Sequence, residues 1–151
     1  MTLRSELGLD EHPDQQQPIP VVRVCWDDLF AFLQKLLRPK TAKAWTALGN
    51  LHAETSTNYK QVFKAEVETD FEGILEEISL YSSRPDTTDW FLVIAGVPQF
   101  SDKKIYNSLT LPYGGLLIHT AQIVELFAKT TDGLATNIAG TLSGRLRYLA
   151  V

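Results

Sequence analysis

Cysteine is nearly absent from this 151-residue chain. The one thiol, Cys25, excludes an intrachain disulfide and a zinc site built on cysteines, and it fits a reducing compartment. Charge is missing from a long stretch. Ile105 to Val124 holds no Asp, Glu, Lys or Arg, and from there to Val151 only Glu125, Lys129, Asp132, Arg145 and Arg147 are charged. The stretch is still too polar to cross a bilayer, because Asn107, Ser108, Thr110, Pro112, Gly114, Gly115 and His119 interrupt it before about 18 apolar residues accumulate. The first residues lack the apolar core of a secretory signal. No Gly-x-Gly-x-x-Gly, Gly-x-x-x-x-Gly-Lys-Ser/Thr or Gly-x-Ser-x-Gly occurs, so the common phosphate-binding loops and the hydrolase elbow are missing. Basic excess is missing too: the formal net charge is −4, which argues against nucleic acid, whose affinity comes from Lys and Arg neutralising phosphates. These absences set the expectation of a cytoplasmic protein with no membrane contact and no cofactor, leaning away from an enzyme.

What is present is an ordinary globular composition, 44% hydrophobic and 10% aromatic, enough for a core without metal or disulfide support. Residues 1–18 are polar, with a Gln15-Gln16-Gln17 run, and read as a mobile tail; residues 19–151 read as a single α+β domain. Alternation predicts strands near 20–25 and 61–68. The doubly apolar run from Trp90 to Val97 predicts a central strand over 90–97, with 105–111 pairing beside it. Helical spacing predicts amphipathic helices near 27–38, 41–53, 70–82, 115–130 and 133–148, covering a small mixed or antiparallel sheet. In the first, Asp27 and Asp28 suit the helix N-terminus, Lys35 and Arg38 its end, and Pro39 stops it. Two alternatives stay open: one long helix over 59–82 instead of strand plus helix, and a strand over 144–151.

Few residues offer chemistry. Cys25 lies just before a predicted helix, but Asp27 and Asp28 would oppose a thiolate there. His12, His52 and His119 show no close metal-binding spacing. Glu66, Glu68, Asp70, Glu72, Glu76 and Glu77 form an acidic run resembling calcium-loop spacing, except that Phe71 stands where the sharp turn needs glycine. The run reads instead as a solvated face or as a patch for a basic partner. Lys35, Arg38, Lys40 and Lys43 form an opposite patch, which could meet the acids of a second copy head to tail. Gly140 and Gly144, on the side of their predicted helix opposite the leucines, read as a bend or break in it, or else would let another backbone approach.

The sequence therefore favours a non-catalytic protein–protein interaction or assembly subunit, binding a protein partner or copies of itself through the charge-poor C-terminal region, since interface cores are depleted in charge. Two other classes remain. One is an acidic inhibitor or immunity-type protein acting through residues 66–77. The other is a small enzyme or ligand binder whose pocket residues are scattered along the chain.

Overall fold

A computed structural model describes residues 26–34 and 42–149. Residues 26–34 form one helix, α1, all of whose residues are exposed. Residues 42–149 form eight strands: β1 (Lys43–Glu54), β2 (Lys60–Glu66), β3 (Phe71–Ser82), β4 (Thr88–Ile94), β5 (Val97–Lys103), β6 (Leu109–Ile118), β7 (Ile123–Thr130) and β8 (Thr136–Tyr148). A short 3-10 turn, Pro85–Thr87, precedes β4. The strands form two antiparallel four-stranded sheets, ordered β1-β8-β3-β6 and β2-β7-β4-β5. First pairs with last, second with seventh, third with sixth and fourth with fifth, as if one long hairpin had been folded over. That is the connectivity of a jelly-roll sandwich.

The core lies between the sheets. β7 presents Val124, Leu126, Ala128 and Thr130 inward, and β4 presents Trp90, Leu92 and Ile94 to the same interior. From the other sheet come Leu75, Ile78 and Leu80 of β3 with Ile138, Leu142 and Leu146 of β8. Two register shifts adjust which side chains point inward. One, between Gln61 and Phe63, accompanies the burial of both Val62 and Phe63. The other, between Leu75 and Glu77, moves the inward set of β3 from Leu75 to Ile78. Ala95 and Gly96, both at positive φ, make the two-residue turn that returns β4 into β5.

This architecture overturns the α+β expectation. Residues 41–53, 70–82, 115–130 and 133–148, read as helices, are β1, β3, the end of β6 with β7, and β8. Each misreading has a physical cause. In β1 the inward residues are Trp45, Ala47, Gly49 and Leu51; the small ones hide the alternation, while Leu48 points out. In β3 the bulge inserts a three-residue step that mimics a helical turn. In β8 the large inward residues Ile138, Leu142 and Leu146 recur every fourth residue, which satisfies both a helix and a strand. Gly140 and Gly144 fill the inward positions between them and conceal the period of two.

Two predicted strands survive, shifted: 61–68 is β2, and 90–97 is β4, an interior strand that stops at Ile94. The segment 105–111 does not pair beside it. β5 takes that place, and the chain crosses to the other sheet before β6 begins at Leu109. Of the predicted helix 27–38, residues up to 34 are helical; its last residues, the strand near 20–25 and the tail 1–18 lie outside the described residues.

Candidate interaction surfaces

The two edges of the sandwich differ. At the β1/β2 edge the sheets meet closely, and a Cβ built on Gly49 would sit 1.7 Å from the Val62 carbonyl oxygen. At the opposite edge, where 104–108 carries the chain from β5 to β6, the sheets part. A groove of about 490 Å³ opens there, lined by Phe100, Ile105, Leu109 and Leu111, with Lys103 and Lys104 also on its wall. Tyr106 stands in the same lining and is 73% exposed. Leu109 belongs to the inward row of β6, opposite Leu80, yet remains exposed because β5 does not cover it. Further along β6, beyond Gly114 and Gly115 at positive φ, Leu116 and Leu117 are exposed as well. β6 therefore carries much of the apolar surface that the charge-poor segment fails to bury. The remainder of that segment is different, because β7 and β8 occupy the middle of their sheets and face the core.

A polar cluster fastens β5 to the outer face of the second sheet. The Tyr59 hydroxyl donates to Asp102 Oδ1 at 2.7 Å, and the Asp102 backbone N–H donates back to the hydroxyl at 3.0 Å. Lys129 Nζ donates to Asp102 Oδ1 at 2.8 Å and lies 4.0 Å from Asp89 and 4.4 Å from the Tyr59 ring centre. Tyr59 packs on Phe91, which stacks on Phe127. The Lys129 and Tyr59 hydrogen bonds hold the Asp102 carboxyl below the ordinary aspartate range. The bond to Asp102 raises Lys129, while burial, then the Asp102 bond, raises Tyr59. A lysine held charged and a phenol held neutral supply neither a base nor a nucleophile near neutral pH. The cluster is suited to tethering.

The residues singled out from sequence are scattered among other tasks. Glu72 is buried and accepts from Arg147 Nε at 3.1 Å and from its Nη2. Arg145 approaches Glu76 at 3.4 Å, and Lys43 donates to Glu68 at 2.5 Å. Three acids of the run thus have cations from β1 and β8, brought in by strand pairing that local sequence does not reveal. Glu66 and Glu77 are exposed, and Asp70 sits at positive φ in the turn before β3. Lys43 meets the acidic run inside its own chain; Lys35, Arg38 and Lys40 lie outside the described residues.

Gly140 and Gly144 serve close approach, but within the sandwich. A Cβ on Gly140 would sit 2.5 Å from Leu126, and one on Gly144 would sit 2.4 Å from the Ile74 carbonyl oxygen. His52 lines a shallow hollow of about 360 Å³ with Asn50, Tyr81 and Asn137 and no carboxylate. His119 Nδ1 is 3.9 Å from Glu72. Cys25 and His12 lie outside the described residues. Among the described residues, no three His, Cys, Asp or Glu side chains converge to hold a metal ion, and no helix is long and apolar enough to cross a membrane.

Sequence reasoning missed the groove altogether. Its signal was the pairing of Phe100 and Ile105 with Leu109 and Leu111 across a polar turn, which becomes a wall only once β5 and β6 are assigned to different sheets.

Comparison with known proteins gives only remote likenesses. No protein-family model matches the chain, and no curated protein matches it in sequence. Among solved structures, dimeric latent PorU from Porphyromonas gingivalis is 14% identical with a TM-score of 0.41, over 70% of this chain and 13% of that one. The infectious bursal disease virus Gt strain structure is 12% identical with a TM-score of 0.36, over 73% of this chain and 35% of that one. The chain thus spans well under two thirds of either protein, and likenesses this distant bear on no function.

Proposed function

We propose that the chain is a non-catalytic assembly subunit that self-associates through the open β5/β6 edge of its sandwich. The observation that carries this reading is the groove itself: apolar side chains of both sheets and of the crossing between them, Phe100, Ile105, Leu109 and Leu111, line a gap that no strand of the sandwich fills. Burying apolar surface yields roughly 25 cal/mol per Å², so an unfilled edge of this kind favours association. The contact surface expected from sequence, the whole charge-poor C-terminal region, contracts here to the 104–108 crossing and β6. Jelly-roll sandwiches serve as shell-forming subunits, lectins and cupins, so the fold alone does not choose among them. The internal pairing of Glu68, Glu72 and Glu76 leaves less acidic surface for an inhibitor of a basic partner.

Light scattering on the full chain, eluting from a sizing column over a concentration series, tests the reading. The mass is expected to rise to a whole multiple of the 16.9 kDa chain. Replacing Leu109 by Asp is expected to hold it at one. A strict monomer at every concentration overturns the proposal.

A further inference from the structure

α1 is a short helix with a large apolar surface. Trp26 and Phe30 are each 63% exposed, and Leu29, Phe32 and Leu33 are exposed beside them. Trp26, Leu29, Phe30 and Leu33 stand at i, i+3, i+4 and i+7, the spacing by which an amphipathic helix lays one stripe into a groove. A helix this short is marginal in water unless its apolar stripe is packed against something. Its only charged residues are Asp27 and Asp28, whereas the lining of the β5/β6 groove is apolar with two lysines, Lys103 and Lys104, and no acid.

We infer that α1 of a second copy is the occupant of the β5/β6 groove. The inference rests on the assembly reading above and names the element that completes the edge. Trp26, Phe30 and Leu33 seat against Phe100, Ile105, Leu109 and Leu111, and Asp27, on the flank of the stripe, faces Lys103 and Lys104. Aromatic anchors in a desolvated pocket ringed by matched charge are the arrangement that concentrates binding energy at interfaces. Each copy offers one helix and one groove, so every copy both gives and receives an arm.

Reciprocal charge reversal in the full chain tests this. One variant carries Asp27→Lys and Asp28→Lys; the other carries Lys103→Glu and Lys104→Glu. Each alone sets like charges face to face, and its half-assembly concentration should rise about tenfold or more. Mixed in equal amounts, the two should assemble again, because each helix then meets a groove of opposite sign. A mixture that stays apart overturns the inference.

A second measurement does not depend on those variants. With Ser108→Cys placed in the groove lining, oxidation should join Cys25, the residue preceding α1, to the new thiol at position 108 of another copy. The dimer should appear on a non-reducing gel and vanish when Cys25 is replaced by Ser. A disulfide formed only within single chains, or none at all, overturns the second copy as occupant. The two levels of failure are separable. A native chain that never leaves the monomer sinks the assembly reading itself; a native chain that assembles, with both charge variants assembling equally well, sinks the arm alone.

Discussion

The two edges of the sandwich teach opposite lessons about how the same layers can end. At the β1/β2 edge the backbones approach until Gly49 has no room for a Cβ against Val62. At the β5/β6 edge they part far enough to leave a groove of about 490 Å³. The residues follow the geometry. The closed edge sets two small inward residues, Ala47 and Gly49, between Trp45 and Leu51, so the sheets approach closely there. The open edge has inward-facing leucines on β6 opposite a β5 whose residues are mostly exposed, so a groove is left between the two sheets. An edge packed like the first is finished within the chain, and one like the second is finished by something else.

Substitutions that wedge or empty the closed side should do the most damage. Gly49→Ala would drive a methyl group into a backbone carbonyl, which no rotamer change relieves, and is expected to cost about 3 kcal/mol, the upper part of the usual overpacking range. Gly140→Ala meets a side chain instead, the tip of Leu126, which can turn away, so the loss should be smaller, about 1–2 kcal/mol. Urea unfolding of the two variants checks the order. Gly140→Ala proving the costlier would mean that the β1/β2 approach is looser than the described distance.

These glycines also show what the sequence made legible and what it concealed. In a helix, Gly140 and Gly144 are penalties; in β8 they are required, because a neighbouring side chain or carbonyl lies where a Cβ would stand. The apolar spacing of Leu134, Ile138, Leu142, Leu146 and Leu149 is visible in the sequence; the middle three are core and the outer two exposed, and a step of four is even, so it does not separate helix from strand. β2 is readable because its alternation runs unbroken from Phe63 onward, and β4 because its run is apolar on both alternations. β1 and β3 are not, since small residues and a bulge break the period. Charge depletion after Ile105 was visible as well. It has two causes, central placement for β7 and β8 and an open edge for β6, and only the sheet order distinguishes them.

On the open side, a substitution should separate assembly from folding. Tyr106 is 73% exposed, so Tyr106→Ser is expected to change unfolding free energy by no more than about 0.5 kcal/mol, the usual range for surface positions. Self-association, followed by sedimentation velocity, should weaken in the same variant. A loss of stability as large as that of Gly140→Ala would mean that Tyr106 is packed within its own chain and that the edge is already closed.

The smallest expected effect is one of pH, and it too divides the edges. Asp102, on β5, keeps a depressed pKa because Lys129 and then Tyr59 bond its carboxylate. Its contribution is present above the unfolded value near 3.8 and is lost as pH falls through the lower folded value. Lys129, raised above 10.5, contributes fully below that value and loses its contribution as pH climbs through the folded one. The cluster ties β5 to β7 through two donors on one carboxylate, where the Lys43–Glu68 pair beside β1 and β2 has one, so acid below pH 3.8 should loosen the open edge first. Amide exchange in β5 is expected to accelerate there before that of β1. In Lys129→Met the carboxyl titration of Asp102, followed by NMR, should move back up toward 3.8. An unmoved titration would mean that the lysine does not hold the carboxylate, and the tether would then rest on the Tyr59 hydroxyl alone.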